Sequence, residues 1–302
     1  MAATVTISPQ TLRPLAETMR PRSMAWRRGV DLLVRVIASL SACVGLIALT
    51  WILLTVCIRG GAAISWTFLT QLPTPPGVSG GGVSNAIVGT CLMTLLAGLA
   101  GIPLGLLAGV YLAEYGKNSA VASAVRFAAN ILMGTPSILI GVFINVLLVS
   151  PPIGLGHYSG YAGAAALAII VLPVVARTSE DMLRLVPDTL RESALALGCP
   201  RWRMTLDIIF RAARGGLLTG VILAIARVSG ETAPLLFTAL NSEYSVRSLD
   251  EQTANLTVFI ANKGPSPYAD WQQMAWGASL LITLGVLSLI LIARFTLRER
   301  KS

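Results

Sequence analysis

The sequence predicts an all-α, polytopic membrane protein with six transmembrane helices. Three observations carry that expectation. The first is composition: of 302 residues, 54% are hydrophobic and only 12% are charged, against about 25% charged in a soluble domain, and mean hydropathy is +0.73. The second is a set of six apolar runs, at about 32–58, 86–113, 127–149, 161–181, 215–238 and 272–293, each reaching the roughly 20 residues that cross a bilayer as helix. The third is charge asymmetry. With the N-terminus taken as cytoplasmic, eighteen of the 23 basic residues fall in segments on the inner side. Arg59, Arg247 and Lys263 fall outside, and Arg177 and Arg227 fall within the membrane. This is the positive-inside pattern, and it places both termini in the cytoplasm.

The elements follow in order. Residues 1–28 are a polar tail with Arg13, Arg20, Arg22, Arg27 and Arg28, and a transmembrane domain occupies 29–299. The first run exceeds the roughly 7–15 residues of a signal-peptide core, so it reads as a retained helix. The second carries Gly101, Gly105 and Gly109 at a spacing of four, a face on which another helix can come close. Pro136 and Ser137 are placed to bend the third run, and Pro151-Pro152-Ile-Gly-Leu-Gly156 ends it. Between the fourth and fifth runs lies an inner loop, 182–211, too long for a turn. There Pro187 and Asp188 suit a helix start, with Leu190, Ala194 and Leu197 expected on one face and Gly198 and Pro200 at its end. A second short helix from Trp202 to Phe210 leads into the fifth run, where Gly216 and Gly220 repeat the small-residue spacing. A mixed-polarity outer loop, 241–270, precedes the sixth. Glu114, at the inner end of the second run, reads as solvated.

Several classes are excluded. His157 is the only histidine, and the four cysteines have no metal-knuckle or redox spacing, so no metal site is expected. The nearest approach to a nucleotide-binding P-loop, Gly116-Lys117-Asn118, lacks both the upstream glycine and the Ser/Thr. No cofactor is expected in this chain and no catalytic residue stands out. The net charge of +9 reflects loop orientation rather than a nucleic-acid surface.

The charges inside the runs are the candidate site. A guanidinium cannot shed its proton, and at bilayer depth it costs about 2.5–3.5 kcal/mol on insertion scales. Arg177 closes Val171-Leu-Pro-Val-Val-Ala-Arg177, and Arg227 lies in Ala226-Arg-Val-Ser-Gly-Glu-Thr-Ala-Pro234. Arginine offers a planar fork of donors suited to two oxygens of an oxyanion. Because the fourth run heads inward and the fifth outward, Arg177 and Arg227 are expected to face one another. Glu180 and Glu231, three and four residues on, are expected to pair with them and to weaken anion binding enough for release. The alternative is that each Arg–Glu pair is a structural salt bridge, most seriously for Glu180, which has Asp181 and Arg184 beside it.

Two groups of residues carry a family resemblance. Glu192-Ser-Ala194, then Gly198, then Ile208 ten residues on resembles the EAA loop of bacterial ABC-importer permeases. Ser193 departs at the second position, and Phe210-Arg211 replaces the family's Leu-Pro. Gly230-Glu-Thr-Ala-Pro-Leu-Leu-Phe237, together with Gly89-Thr90, Tyr111-Leu-Ala-Glu-Tyr115, Pro136-Ser-Ile-Leu-Ile-Gly141 and Ala196-Leu-Gly-Cys-Pro-Arg-Trp202, resembles the PstA family of phosphate-importer permeases over about 81–240.

The resemblance implies the MetI-like permease fold in a bacterial inner membrane, moving phosphate by alternating access. It implies that the substrate path uses Arg227, Arg177, Glu231 and Glu180, and that Glu192, Ala194, Gly198 and Ile208 dock on an ATPase. The partners it implies are a second, PstC-like permease, a PstB-like ATP-binding dimer that alone binds ATP, and an extracytoplasmic phosphate-binding protein, with membrane lipid around them. A permease for sulfate, molybdate or phosphonate, or an ion-coupled secondary carrier, are the competing expectations.

Overall fold

The computed structural model describes residues 24–78, 80–117 and 119–298. Most of the polar tail at 1–28, and the basic residues Arg300 and Lys301, lie outside them. Every regular element among the described residues is a helix. The chain forms two units, residues 1–55 and 56–302. The described part of the first is a continuous stretch of α1 (Met24–Gly61). Its large apolar side chains, among them Leu40, Ile47 and Trp51, are exposed, as suits a helix whose solvent is lipid.

The second unit takes in the last turns of α1, followed by the short α2 (Trp66–Thr70), capped by the Ser65 hydroxyl. It is organised around α3 (Ser84–Val110) and α6 (Gly160–Arg184), which run parallel. Gly101, Gly105 and Gly109 make this approach possible. A methyl group at Gly105 would lie 2.8 Å from the Val175 Cβ and 2.9 Å from the Leu172 carbonyl oxygen, and one at Gly109 would lie 2.6 Å from the Ser179 Cβ. Around the pair, Met93, Ala97, Leu167, Val171, Val175, Ala224, Val228 and Leu235 form one buried cluster.

The apolar run at 127–149 is not a straight helix. α4 (Ala120–Gly134) and α5 (Ser137–Ile144, continued by a π-helical turn to Val149) meet at a bend of 103°. Proline disfavours helical geometry in the residue before it. Thr135 accordingly sits at φ −76°, ψ 134°, and the chain restarts at Ser137. Among the described residues, five helices are long and apolar enough to cross a membrane, or six if this bent pair is one span.

The elbow follows α6 as α7 (Asp188–Ala196) and α8 (Arg201–Arg203). A π-helical turn, Met204–Ile209, then joins it to α9 (Phe210–Val228), so the chain enters the membrane with little interruption. The run at 215–238 is also divided. α9 ends at Val228, residues 229–232 are non-helical, and α10 (Ala233–Thr238) restarts with Pro234 in its first turn. Proline is tolerated there because the first amide protons of a helix have no partner within it. The two half-helices α5 and α10 touch, with Gly141 against Pro234. Then α11 (Leu256–Lys263) is capped by the Asn255 side chain, and α12 (Ala269–Arg298) is the last described helix.

Candidate functional site

Glu180 lies on α6 with its side chain fully buried, and three arginines surround it. Arg126 from α4 donates from Nε at 2.7 Å, Arg184 donates at 2.7 Å and Arg177 at 3.3 Å. Arg126 also donates to the Leu112 carbonyl at 2.9 Å, which ties α4 to the end of α3. Arg177 additionally meets Asp181 at 3.4 Å and keeps 40% of its side chain exposed. Three guanidiniums against two carboxylates leave the cluster net positive. A carboxylate taken out of water persists in charged form only when its oxygens are paired, and both oxygens of Glu180 are.

Arg227 has the opposite surroundings. It is exposed in the isolated chain, near the C-terminal end of α9, and its side chain makes no hydrogen bond or ion pair to any described residue. The expected pairing with Glu231 is absent. An i,i+4 pair needs unbroken helix, and α9 stops at Val228, three residues before the acid. Glu231 is half-buried, and its backbone carbonyl accepts a 2.7 Å bond from the Thr257 hydroxyl of α11.

The two arginines also differ in depth. Gly216 of α9 lies against Met182 of α6, and Gly220 against Thr178, so the helices are antiparallel and Arg227 falls level with about Val171. Six residues of helix, about 9 Å, separate it from Arg177. The structure therefore does not place the two guanidiniums opposite each other. Arg177 is the nearer to the elbow and Arg227 the further from it.

Between the C-terminal part of α6 and the N-terminal part of α9 lies a cleft of about 980 Å³. On α9 the face that carries Arg227 continues inward through Leu223, Gly220, Gly216 and Ala212, at helical spacing, and all four line the cleft. Thr178 and Met182 contribute from α6, and Arg211, Arg214 and Arg294 stand at its rim.

The elbow links the C-terminal end of α6 to the N-terminal end of α9. Ala194 is buried against Ala113, Leu183, Met204 and Ile209, whereas Glu192 is exposed and Ile208 half-buried. Gly198 adopts φ +77°, the left-handed conformation that ends a helix and that a side chain disfavours. The Cys199 amide closes the end by donating to the Ala194 carbonyl at 3.1 Å. Leu197 does not share a face with Ala194, because α7 has already ended at Ala196. It stands 88% exposed, beside the exposed Leu195 and Trp202.

Composition and local spacing missed two residues of this region. Arg191 is buried, and its Nε and Nη2 engage Glu114 at 3.2 and 2.7 Å. Glu114, expected to be solvated, is 4% exposed. Its carboxylate holds the Arg191 guanidinium more firmly in the charged form than usual, against the opposing effect of burial. Arg126 read only as one more inner basic residue. Nothing local signals either pairing, since the partners lie 77 and 54 residues away.

The fold and the elbow define a class. Residues 101–300 match the family model described as "Binding-protein-dependent transport system inner membrane component", and the chain belongs to that family. Within it the chain falls among the PstA proteins. It is 44% identical to the "Phosphate transport system permease protein PstA" of Yersinia pestis, over 98% of this chain and 99% of that one. It is 48% identical to the protein of the same description from Pasteurella multocida, over 83% and 88%. The fold is similar to a chain of a bacterial alginate ABC transporter solved "in complex with alginate pentasaccharide-bound periplasmic protein". There the TM-score is 0.66 at 15% identity, covering 92% of this chain and 98% of that one.

Proposed function

We propose that this chain is a permease subunit of an ATP-driven importer of inorganic phosphate, and that Arg227 meets the anion. The carrying observation is an arginine in an apolar helix whose side chain has no hydrogen-bond or ion-pair partner among the described residues. Such a charge is costly at membrane depth unless an anion or a polar cavity accompanies it. The likeness to the PstA relatives supports phosphate as the anion. Phosphate passes from Arg227 along the face of α9 into the cleft and leaves past the inner arginines. Arg177, held by Glu180 and Asp181, supplies a second positive charge about 9 Å further in, and Glu231 moderates the field at the entrance.

Arg227 is exposed in the single chain, so a second permease subunit covers it and supplies the other wall of the path. The elbow docks on a separate ATP-hydrolysing subunit through Glu192, Gly198 and the exposed Leu195, Leu197 and Trp202, while Ala194 and Ile208 seat it on the membrane helices. A binding protein delivers phosphate to the outer loop, a reading supported by the periplasmic protein in the alginate complex. Both termini face the cytoplasm. The test is uptake by the reconstituted complex. R227Q that still assembles is expected to lose import by about a hundredfold or more, as when a buried charge loses its only partner. Import at the unaltered rate would remove Arg227 from the path. Competition by sulfate or molybdate reads the anion specificity.

A further inference from the structure

The elbow is joined covalently to α6 on one side and to α9 on the other. It reaches α3 only through contacts, and one of these is unlike the rest. Arg191, in the middle of α7, uses all three nitrogens of its guanidinium. Nε lies 3.2 Å from each oxygen of Glu114, which sits in the π-helical turn (Tyr111–Tyr115) at the inner end of α3. Nη2 donates to Glu114 at 2.7 Å and to the Leu183 carbonyl at 2.8 Å. Nη1 donates to the Val186 carbonyl at 2.6 Å and to Asp188 at 3.1 Å. One side chain thus holds the end of α3, the end of α6 and the start of the elbow.

The other contacts there are of a different kind. Ala113, Ala194, Met204 and Ile209 make an apolar seam, and non-directional contacts of that sort permit sliding. The second polar tie, Lys117 to Asp188, spans 3.6 Å with both side chains more than half exposed, and pairs of that kind contribute little. The Arg191–Glu114 fork fixes both distance and angle in a site nearly free of water. Beyond it, α3 and α6 are locked together by the glycine contacts, and α6 carries the Arg177–Glu180 cluster.

We propose that the Arg191–Glu114 pair is the transmission contact that makes α3 and α6 move as one body with the elbow. Neither residue touches the transported anion; both are positioning residues. The proposal rests on the transport reading above. It assigns the pair to the step between ATP hydrolysis and opening of the path, not to docking, because the exposed Leu195, Leu197 and Trp202 are untouched by its loss.

The test compares phosphate imported per ATP hydrolysed in proteoliposomes holding the full complex with its binding protein. E114Q is expected to assemble with the ATPase subunit and to keep ATP hydrolysis stimulated by loaded binding protein. Import per ATP falls about tenfold, within the range of allosteric couplings. The double variant E114Q/R191Q loses no more than the single, as expected for two groups acting through one contact. Should E114Q fail to reach the membrane, E114D keeps the charge with a shorter reach and is expected to show an intermediate ratio. An unchanged ratio overturns the proposal. So does a parallel fall of hydrolysis and import at constant ratio, which marks a pair that only holds the fold. A wild-type complex that hydrolyses ATP without importing phosphate sinks the transport reading instead, so the two failures are separable.

Discussion

Arg177 and Arg227 are the same residue type in neighbouring apolar helices, yet their surroundings are opposed. Arg177 belongs to a network with Glu180, Asp181, Arg126 and Arg184, built around a carboxylate that water does not reach. The Arg227 side chain has no partner among the described residues and lies on the face of α9 that leads into the cleft. The difference teaches that an intramembrane charge is not by itself a ligand site. A satisfied network holds helices together and fixes a local field, while an unsatisfied, accessible guanidinium is left to meet something from outside.

If that division is right, substitutions on the two sides fail in different ways. E180Q removes the charge on which three guanidiniums converge. It is expected to destabilise the fold by about 1.5–3 kcal/mol, through the charge-assisted hydrogen bonds it weakens, read as a fall in thermal unfolding temperature in detergent and in membrane yield. G105A, which drives a methyl into Val175, is expected to cost about 1–3 kcal/mol by overpacking, with the same readouts. R177Q leaves Glu180 its two shorter bonds, so stability should hold while uptake drops about tenfold, about 1.4 kcal/mol of lost interaction with the anion. A stability loss as large as that of E180Q would make Arg177 part of the scaffold alone. E231Q should change the apparent phosphate affinity by less than about fivefold, as expected for an unbonded neighbouring charge. A larger effect would move Glu231 into direct contact with the anion.

Much of the fold was legible because hydropathy acts over long segments. The glycines of the second run signalled a close helix contact, though not that its partner is α6. The elbow's helix ends were signalled by Pro187, Gly198 and Pro200. Three features were not legible. Pro136 marked a break but not a bend of 103°, which depends on where α5 finds its packing partner, α10. Helical spacing suggested an Arg227–Glu231 pair, yet α9 ends between them. The Glu114–Arg191 and Arg126–Glu180 pairs join segments 77 and 54 residues apart, a kind of contact that periodicity does not carry.

The central claim is that a positive charge at position 227 is what the anion needs. It is tested most directly by chemical replacement in a chain whose Cys43, Cys57, Cys91 and Cys199 have been changed to serine or alanine. R227C in that background should assemble and import almost no phosphate, and aminoethylation of the new thiol, which restores a cation at nearly the same reach, should restore measurable uptake. Import by the unmodified R227C complex at the parent rate would contradict it.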